Sequence, residues 1–174
     1  MAFFFFFTMA TKQIIDTRLQ VGSIYLLLFI RNSDISRGFH WALYHHRTLQ
    51  SGYKFNVKQM GEGWICDSAA NSNIMSSFLL DGALRIGFCD PADSDRLKWI
   101  DAVDLTRPPH PYDVFTCRTW TMHCIRGLIM QGFVKCNNPD ALEQEVKEWA
   151  SAYHESAYNG EMPRPVEDCQ LCAP

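Results

Sequence analysis

The sequence has neither an excess nor a cluster of basic residues. Lysine and arginine together number 16, against 19 aspartate and glutamate residues, and the formal net charge at pH 7 is −3. Proteins that bind nucleic acid present a basic patch or stripe to the phosphates. The composition therefore gives no reason to expect a nucleic-acid partner.

Long hydrophobic runs are also missing. A membrane-spanning helix needs about 20 consecutive apolar residues, and the longest runs in this chain are much shorter. Phenylalanine occupies positions 3–7, but the first basic residue, Lys12, follows this run, whereas a signal peptide carries its basic residues first. We expect no stable membrane span, and we interpret residues 1–18 as a leader that is disordered or docks on the domain.

Cysteine is present, but its spacing is not that of a disulfide framework or a zinc site. The seven cysteines are an odd number and are scattered along the chain. Cys169 and Cys172 form a C-x-x-C pair, yet no second pair or nearby histidine completes the four ligands that zinc requires. We expect no metal, no cofactor and a reduced, intracellular (cytoplasmic) compartment.

The hydrophobic residues that are present predict a sheet. They make up 47% of the 174 residues, which is enough for one compact domain with a core. The apolar run at 21–30 predicts a buried strand, and the alternating segments at 39–45 and 53–59 predict two more. Shorter strands are predicted at 64–66 and 83–88.

Helices are predicted after capping residues. Thr116 and Asn138 are good N-caps, and Pro139 is suited to the first helical position. The predicted fold is α+β, an antiparallel sheet packed against a central helix that carries Cys117 at its N-terminus. We place a single domain at 19–160, followed by an exposed C-terminal tail at 161–174.

Cys117 is the candidate nucleophile. A thiol at a helix N-terminus is stabilised as a thiolate by the helix dipole and free N–H groups, although free cysteines are more often buried structural residues. A thiolate catalyst also needs a base and a group that orients the base. His40 and Asn56 lie on neighbouring predicted strands, with His40 on the face of Ala42, where we expect the helix to pack. The backbone N–H of Cys117 is a candidate oxyanion donor.

Three motifs occur in order: GFHWALY at 38–44, GYKFNV at 52–57 and TCRTW at 116–120. This pattern resembles the lecithin:retinol acyltransferase-like proteins of the circularly permuted NlpC/P60 branch of the papain-like superfamily. The resemblance implies a permuted papain-like fold, with His40 as base, Cys117 as nucleophile and Asn56 where the family has a second histidine. A looser similarity links the His-Trp…Cys-Arg-x-Trp pattern to small uncharacterised fungal proteins. Because 118–120 differ from the family's Glu-His-Phe, its acyl-donor specificity is not implied.

Four further residues are candidates for substrate binding. Arg118, next to the nucleophile, either binds a carboxylate or enolate or pairs with Asp113. His110, in the proline-rich loop 107–111, is placed at the site entrance. Trp41 and Tyr44 lie on the strand of His40 and are assigned to the same pocket.

These features favour a cysteine-dependent acyl-transfer enzyme: an amidase, peptidase, thioesterase or acyltransferase. It would act through a thioester on a small-molecule or peptide-like acyl substrate. One alternative is a natural-product cyclase or isomerase that uses the same pocket for acid–base chemistry. The other is a non-catalytic binding domain of the same fold. The position of Cys117 relative to His40 is the structural feature that bears most directly on this choice.

Overall fold

A computed structural model describes residues 16–31 and 35–173; the phenylalanine run and most of the predicted leader lie outside these ranges. The two α-helices of the described part are α1 (Cys117–Met130) and α2 (Pro139–Tyr158), and 3-10 helices occupy Ile35–Arg37, Ile74–Ser76 and Pro91–Ala102. The strands of the described part are β1 (Ser23–Ile30), β2 (Phe39–His46), β3 (Gly52–Phe55), β4 (Val57–Met60), β5 (Gly63–Cys66), β6 (Ala69–Asn71), β7 (Leu80–Phe88), β8 (Lys135–Cys136), β9 (Val166–Asp168) and β10 (Cys172–Ala173).

Six of the strands form the central sheet, in the order β6-β3-β2-β1-β7-β9. The β7–β9 pair is parallel, and the other pairs are antiparallel. Strands β4 and β5 form a separate hairpin, and β8 pairs with β10. The predicted α+β class, with a mostly antiparallel sheet and a helix beginning at Cys117, is confirmed.

The helices pack on one face of this sheet. Along β1, Leu26 and Leu28 belong to the cluster that contains the buried residues of α1 and α2. Leu27, between them, belongs to a second cluster on the other face, which Leu19 and Met75 help to cover. Successive strand residues point to opposite faces, and both faces of β1 are covered, so its side chains are apolar on both faces. This explains why its sequence is a continuous apolar run.

The start of α1 is held by a reciprocal cap. The Thr119 N–H donates to Thr116 Oγ1 at 3.1 Å, and the Thr116 N–H donates to Thr119 Oγ1 at 2.8 Å. Two donors that lack intrahelical acceptors are thereby satisfied. Trp120 and Leu128, on the inner side of the helix, are fully buried. The cap and the apolar face together fix Cys117 as the first helical residue.

The predicted strand at 53–59 is instead two strands that separate at Asn56. β3 pairs with β2 in the main sheet, whereas β4 pairs with β5 outside it. The Asn56 N–H donates to Ser68 Oγ at 3.0 Å instead of joining the main-sheet ladder. The alternating pattern continues through this break, so alternation alone could not reveal it.

The expectation that the C-terminal tail is exposed is wrong for much of its length. β9 adds to the edge of the main sheet beside β7, and Arg164, Cys169 and Cys172 are buried. The Arg164 guanidinium donates to backbone carbonyls of three residues, Phe78, Ala157 and Glu161. These bonds tie the tail to the body of the fold.

Among the described residues, neither helix is long and apolar enough to cross a bilayer.

Candidate functional site

The side chains of Cys117, His40 and Asn56 meet at the start of β2. Cys117 begins α1, His40 is the second residue of β2, and Asn56 follows β3 directly. β3 pairs with β2 only between Leu43 and His46. The outer edge of β2 is therefore open beside His40, and the start of α1 can reach the imidazole there.

One detail of the predicted placement is wrong. Alternation puts His40 on the face of Ala42, and the helix was expected to pack on that face. Instead, α1 packs in the cluster that contains Trp41 and Leu43, while Ala42 lies in the cluster on the opposite face. The contact between His40 and Cys117 is therefore made at the strand end rather than across a sheet face.

Hydrogen bonds determine which nitrogen of His40 is free. His40 Nε2 lies 2.6 Å from Asn56 Oδ1, and Asn56 Nδ2 donates to Asp67 Oδ2 at 3.3 Å. A hydrogen bond from Lys58 is the main cause that lowers the pKa of Asp67. Because an ionised carboxylate only accepts, the network assigns Oδ1 to the imidazole and the proton to Nε2. Nδ1 is then the unprotonated nitrogen left for Cys117.

Asp67, which follows β5 directly, supports Asn56. It makes two hydrogen bonds with Asn56. Its backbone N–H donates to the Asn56 carbonyl at 2.8 Å, in addition to the side-chain contact. Lys58 Nζ lies 2.5 Å from Asp67 Oδ1. The imidazole is thus oriented by a chain of polar groups that extends to the β4–β5 hairpin.

The Cys117 sulfur lies among groups that hydrogen-bond with it. Arg31 Nη2 donates to it at 2.9 Å, and the His40 side chain and the Trp41 backbone N–H also hydrogen-bond with it. The residue is only 1% exposed. A reagent must therefore enter a cleft to reach the sulfur.

These contacts lower the pKa of Cys117 despite its burial. Burial raises the pKa of the thiol, but the hydrogen bond and charge of His40, the Trp41 amide and the charge of Arg31 together bring it below its ordinary value. Cys124, on the same helix, provides the contrast, because burial raises the pKa of its thiol well above the ordinary value. Of these two buried thiols, only Cys117 has an environment that favours the thiolate.

Arg31 is a site residue that sequence reasoning missed. It follows β1 directly. In the observed register Ile30 opposes Phe39, so residue 31 lies beside the start of the strand that carries His40. The available signal was the pairing of the first two predicted strands, which brings a basic residue next to the proposed base.

Two clefts adjoin at Arg31 and Thr116, which line both of them. The Lys147 cleft, about 440 Å³, contains the Cys117 surface and is lined by Phe39, Trp41, Arg118, Lys147 and Ser151. The Trp64 cleft, about 370 Å³, is lined by His40, Lys58, Gln59, Trp64 and Phe115. A substrate that reacts at Cys117 has room for one part in each cleft.

Two of the four predicted substrate-binding residues line the Lys147 cleft, namely Trp41 and Arg118. Arg118 pairs with Glu143 of α2 rather than with Asp113. Glu143 also accepts from Lys147 Nζ at 2.6 Å. Two cations therefore share one carboxylate at the wall of the cleft.

Tyr44 and His110 do not line either cleft. Tyr44 is buried on the face opposite α1, where its hydroxyl lies 3.3 Å from His46 Nδ1. Alternation along β2 directs its side chain to that opposite face, away from the two clefts. His110 is exposed and lines a separate cleft together with His123 of α1, because the loop before α1 carries it to another side of that helix.

The two histidines after Tyr44 do not point into solvent. His45 and His46 are both buried, and His45 Nε2 lies 2.8 Å from the Cys89 carbonyl oxygen. β2 lies inside the sheet between β1 and β3, so its last residues are covered. Within the described ranges, no group of three or more His, Cys, Asp or Glu side chains could hold a metal ion.

No protein-family model matches the chain, and no curated protein or solved structure shows significant similarity to it. The resemblance to the lecithin:retinol acyltransferase-like proteins rests on the three motifs and stays a prediction. Function has to be inferred from the chemistry of the site itself.

Proposed function

We propose that this protein is a cysteine-dependent acyl-transfer enzyme that acts through a thioester on Cys117. One observation carries the proposal: the Cys117 sulfur lies at a helix start between Arg31 and His40, and Asn56 occupies the far nitrogen of the imidazole. Such a nucleophile, base and orienting group form the minimal set for covalent acyl transfer. The two adjoining clefts supply space for the acyl group and the leaving group.

The first half of the reaction forms the thioester. The Cys117 thiol transfers its proton to His40 Nδ1, and the thiolate attacks the carbonyl carbon of the substrate. The Cys117 backbone N–H, which has no intrahelical acceptor at this position, and the Arg31 guanidinium stabilise the oxyanion. When the intermediate collapses, the bond to the leaving group breaks and His40 returns the proton to that group.

The second half releases the acyl group. Water or another acceptor gives a proton to His40 and attacks the thioester carbonyl, and the Cys117 thiolate leaves and takes up the proton. Asn56 holds the imidazole in the orientation that both halves require, and Asp67 holds Asn56. The orienting hydrogen bond keeps Nε2 protonated, so Nδ1 exchanges the proton in each step.

The test is acylation of the full chain by an activated ester, such as 4-nitrophenyl acetate. We expect one acetyl mass on the peptide that contains Cys117, and a loss of this adduct in Cys117→Ala. His40→Ala should slow acylation by about 10²–10⁴-fold, the usual contribution of a general base. Cys66→Ala, which removes an exposed thiol, is the matched control and should leave acylation at Cys117 unchanged.

Two outcomes would contradict the proposal. Turnover of a natural substrate that survives Cys117→Ala but not His40→Ala would indicate a cyclase or isomerase acting by acid–base chemistry. Acetylation that is no faster at Cys117 than at Cys66, and is unaffected by His40→Ala, would indicate an inert structural thiol. That second result is the one expected of a non-catalytic binding domain.

A further inference from the structure

Three buried cysteines form a cluster apart from the Cys117 site. Pairing of β10 with β8 places Cys172 directly opposite Cys136, and the Cys172 thiol hydrogen-bonds with both Cys169 and Cys136. All three residues are at most 6% exposed. The fold therefore brings the two cysteines of the C-x-x-C motif together and places a third thiol beside them.

Glu145 of α2 holds the turn that joins the pair. Its carboxylate accepts from the Gln170 N–H at 2.6 Å and from the Leu171 N–H at 3.2 Å. It also accepts from Cys169 Sγ at 3.3 Å. The turn between the two cysteines is thus fixed in one geometry by the body of the domain. Such preorganisation keeps the two thiols together without a covalent bond.

We propose that Cys169 and Cys172 are a redox-active dithiol that closes reversibly to a disulfide. A peroxide is the oxidant. The Cys169 thiolate attacks one peroxide oxygen and becomes a sulfenic acid, and the other oxygen leaves as hydroxide, which takes up a proton. The Cys172 sulfur then attacks the Cys169 sulfur, the S–S bond forms, and the sulfenic hydroxyl leaves with the Cys172 proton as water. Two thiols lose two electrons in total, and the peroxide gains them.

The two thiols have different environments, which indicate which one attacks the peroxide and which one resolves the sulfenic acid. The hydrogen bond from Cys172 lowers the pKa of Cys169, and this effect outweighs burial and the nearby Glu145 carboxylate, which both raise the pKa. The hydrogen bond with Cys169, together with burial, raises the pKa of Cys172. Cys169 is thus the first to ionise and react, and Cys172 resolves the product. Gln170 and Leu171, between them, are exposed, so a small oxidant approaches the pair from the surface of the turn.

Cys66 is the matched control thiol. It is exposed, and its sulfur lies beside Ser68 Oγ at 3.3 Å and Asp101 Oδ1 at 3.5 Å rather than beside a second cysteine. Exposure alone would make Cys66 the first thiol to be oxidised. Disulfide formation, by contrast, requires a neighbouring sulfur.

The experiment treats the full, folded chain with hydrogen peroxide, blocks the remaining thiols with an alkylating reagent and maps the peptides by mass. Trypsin cuts after Lys135 and Lys147, which separates Cys136 from the C-terminal pair. We expect a loss of two hydrogens within the peptide that holds Cys169 and Cys172, and full recovery of both thiols with dithiothreitol. In Cys172→Ser, dimedone should trap a sulfenic acid on Cys169, and Cys66→Ser should leave the disulfide unchanged.

Two results would overturn the assignment. The first is a crosslink between the Cys136 peptide and the C-terminal peptide as the main product. The second is a pair of thiols that stays reduced in the folded chain at peroxide concentrations that oxidise Cys66. Neither result depends on acyl transfer at Cys117, so the dithiol and the proposed enzymatic function stand or fall separately.

Discussion

At the scale of single residues, the Cys117 thiol balances burial against nearby positive charge. Burial opposes ionisation, and the contacts with His40 and Arg31 favour it. Arg31 donates directly to the sulfur, and a guanidinium is a fixed, delocalised positive charge. Its guanidinium is therefore a charged partner for the thiolate that needs no proton transfer from the thiol.

Replacing Arg31 tests this balance. Arg31→Gln should raise the pKa of Cys117, because the charged partner of the thiolate is lost while the burial remains. At pH 7 we expect alkylation of Cys117 by iodoacetamide to slow by up to about tenfold, because a smaller fraction of the thiol is ionised. The measurement is the rate at this peptide as a function of pH.

Arg31→Lys is the charge-preserving control and should retain most of the rate. Alkylation that keeps the same pH profile in Arg31→Gln would show that the arginine only covers the sulfur. The rate at Cys66 in the same samples reports on the reagent and should not change.

At the scale of the element, the cap of α1 determines where the helix begins. Thr116 and Thr119 satisfy each other's backbone N–H groups, which leaves Cys117 as the first helical residue with its own N–H directed out of the helix end. α2 begins in a comparable way, with the Ala141 N–H donating to Asn138 Oδ1 at 3.0 Å. Only the first of these caps adjoins the candidate site.

The two caps provide a matched pair of variants. Thr116→Ala and Asn138→Ala should each lower the free energy of unfolding by about 1 kcal/mol, as loss of an N-cap usually does. Only Thr116→Ala should also slow alkylation of Cys117, since it loosens the turn that positions the sulfur. Denaturant unfolding and thiol labelling measure the two effects. Equal slowing in both variants would mean that general stability, rather than the cap, sets the reactivity.

At the scale of the whole molecule, a buried carboxyl lies where β7, α2 and the C-terminal tail pack together. Asp81 is fully buried, and neither of its oxygens has a hydrogen-bond partner in the described part of the chain. His154 Nδ1 of α2 lies 4.0 Å from Asp81 Oδ1. Burial raises the pKa of Asp81 to about 7, against the opposing effect of the Arg164 charge.

This carboxyl should make stability depend on pH. The folded chain keeps the Asp81 proton up to about pH 7, whereas the unfolded chain releases it near the ordinary pKa of 3.8. The folded state therefore binds more protons at Asp81 in this range, and the contribution of Asp81 to the free energy of unfolding should fall as the pH rises from 5 to 8.5. The lowered pKa values of His45, His46 and His123 act in the opposite direction at the acid end of the range. The expected loss is on the order of 3 kcal/mol.

Asp81→Asn should remove most of this dependence and should be more stable than the parent at pH 8.5. Denaturant unfolding at the two pH values measures it. Asp95→Asn is the control, because Asp95 is exposed and its pKa is lowered, so it does not titrate in this range. A stability difference between the parent and Asp81→Asn that stays the same at the two pH values would contradict the role given to Asp81.

The sequence by itself determined the features that depend on neighbouring residues. The caps at Thr116 and Asn138, the two α-helices, the first strands and the mixed α+β class are all carried by local chemistry and short-range periodicity. The candidate nucleophile at residue 117 follows from its position after a cap, and the motifs that contain His40 and Asn56 suggested its partners. These signals are readable because the groups that cause them lie within a few residues of each other.

Only the tertiary structure decided which distant groups touch. Arg31 reaches Cys117 across 86 positions, Asp67 orients Asn56 from outside the predicted strand, and Val166–Asp168 of the tail join the sheet edge. Tyr44 and His110 show the converse, since each lies near a site residue in sequence but not in space. Such contacts depend on strand register, on where a strand leaves the sheet and on which face a helix covers, and a local pattern contains none of these.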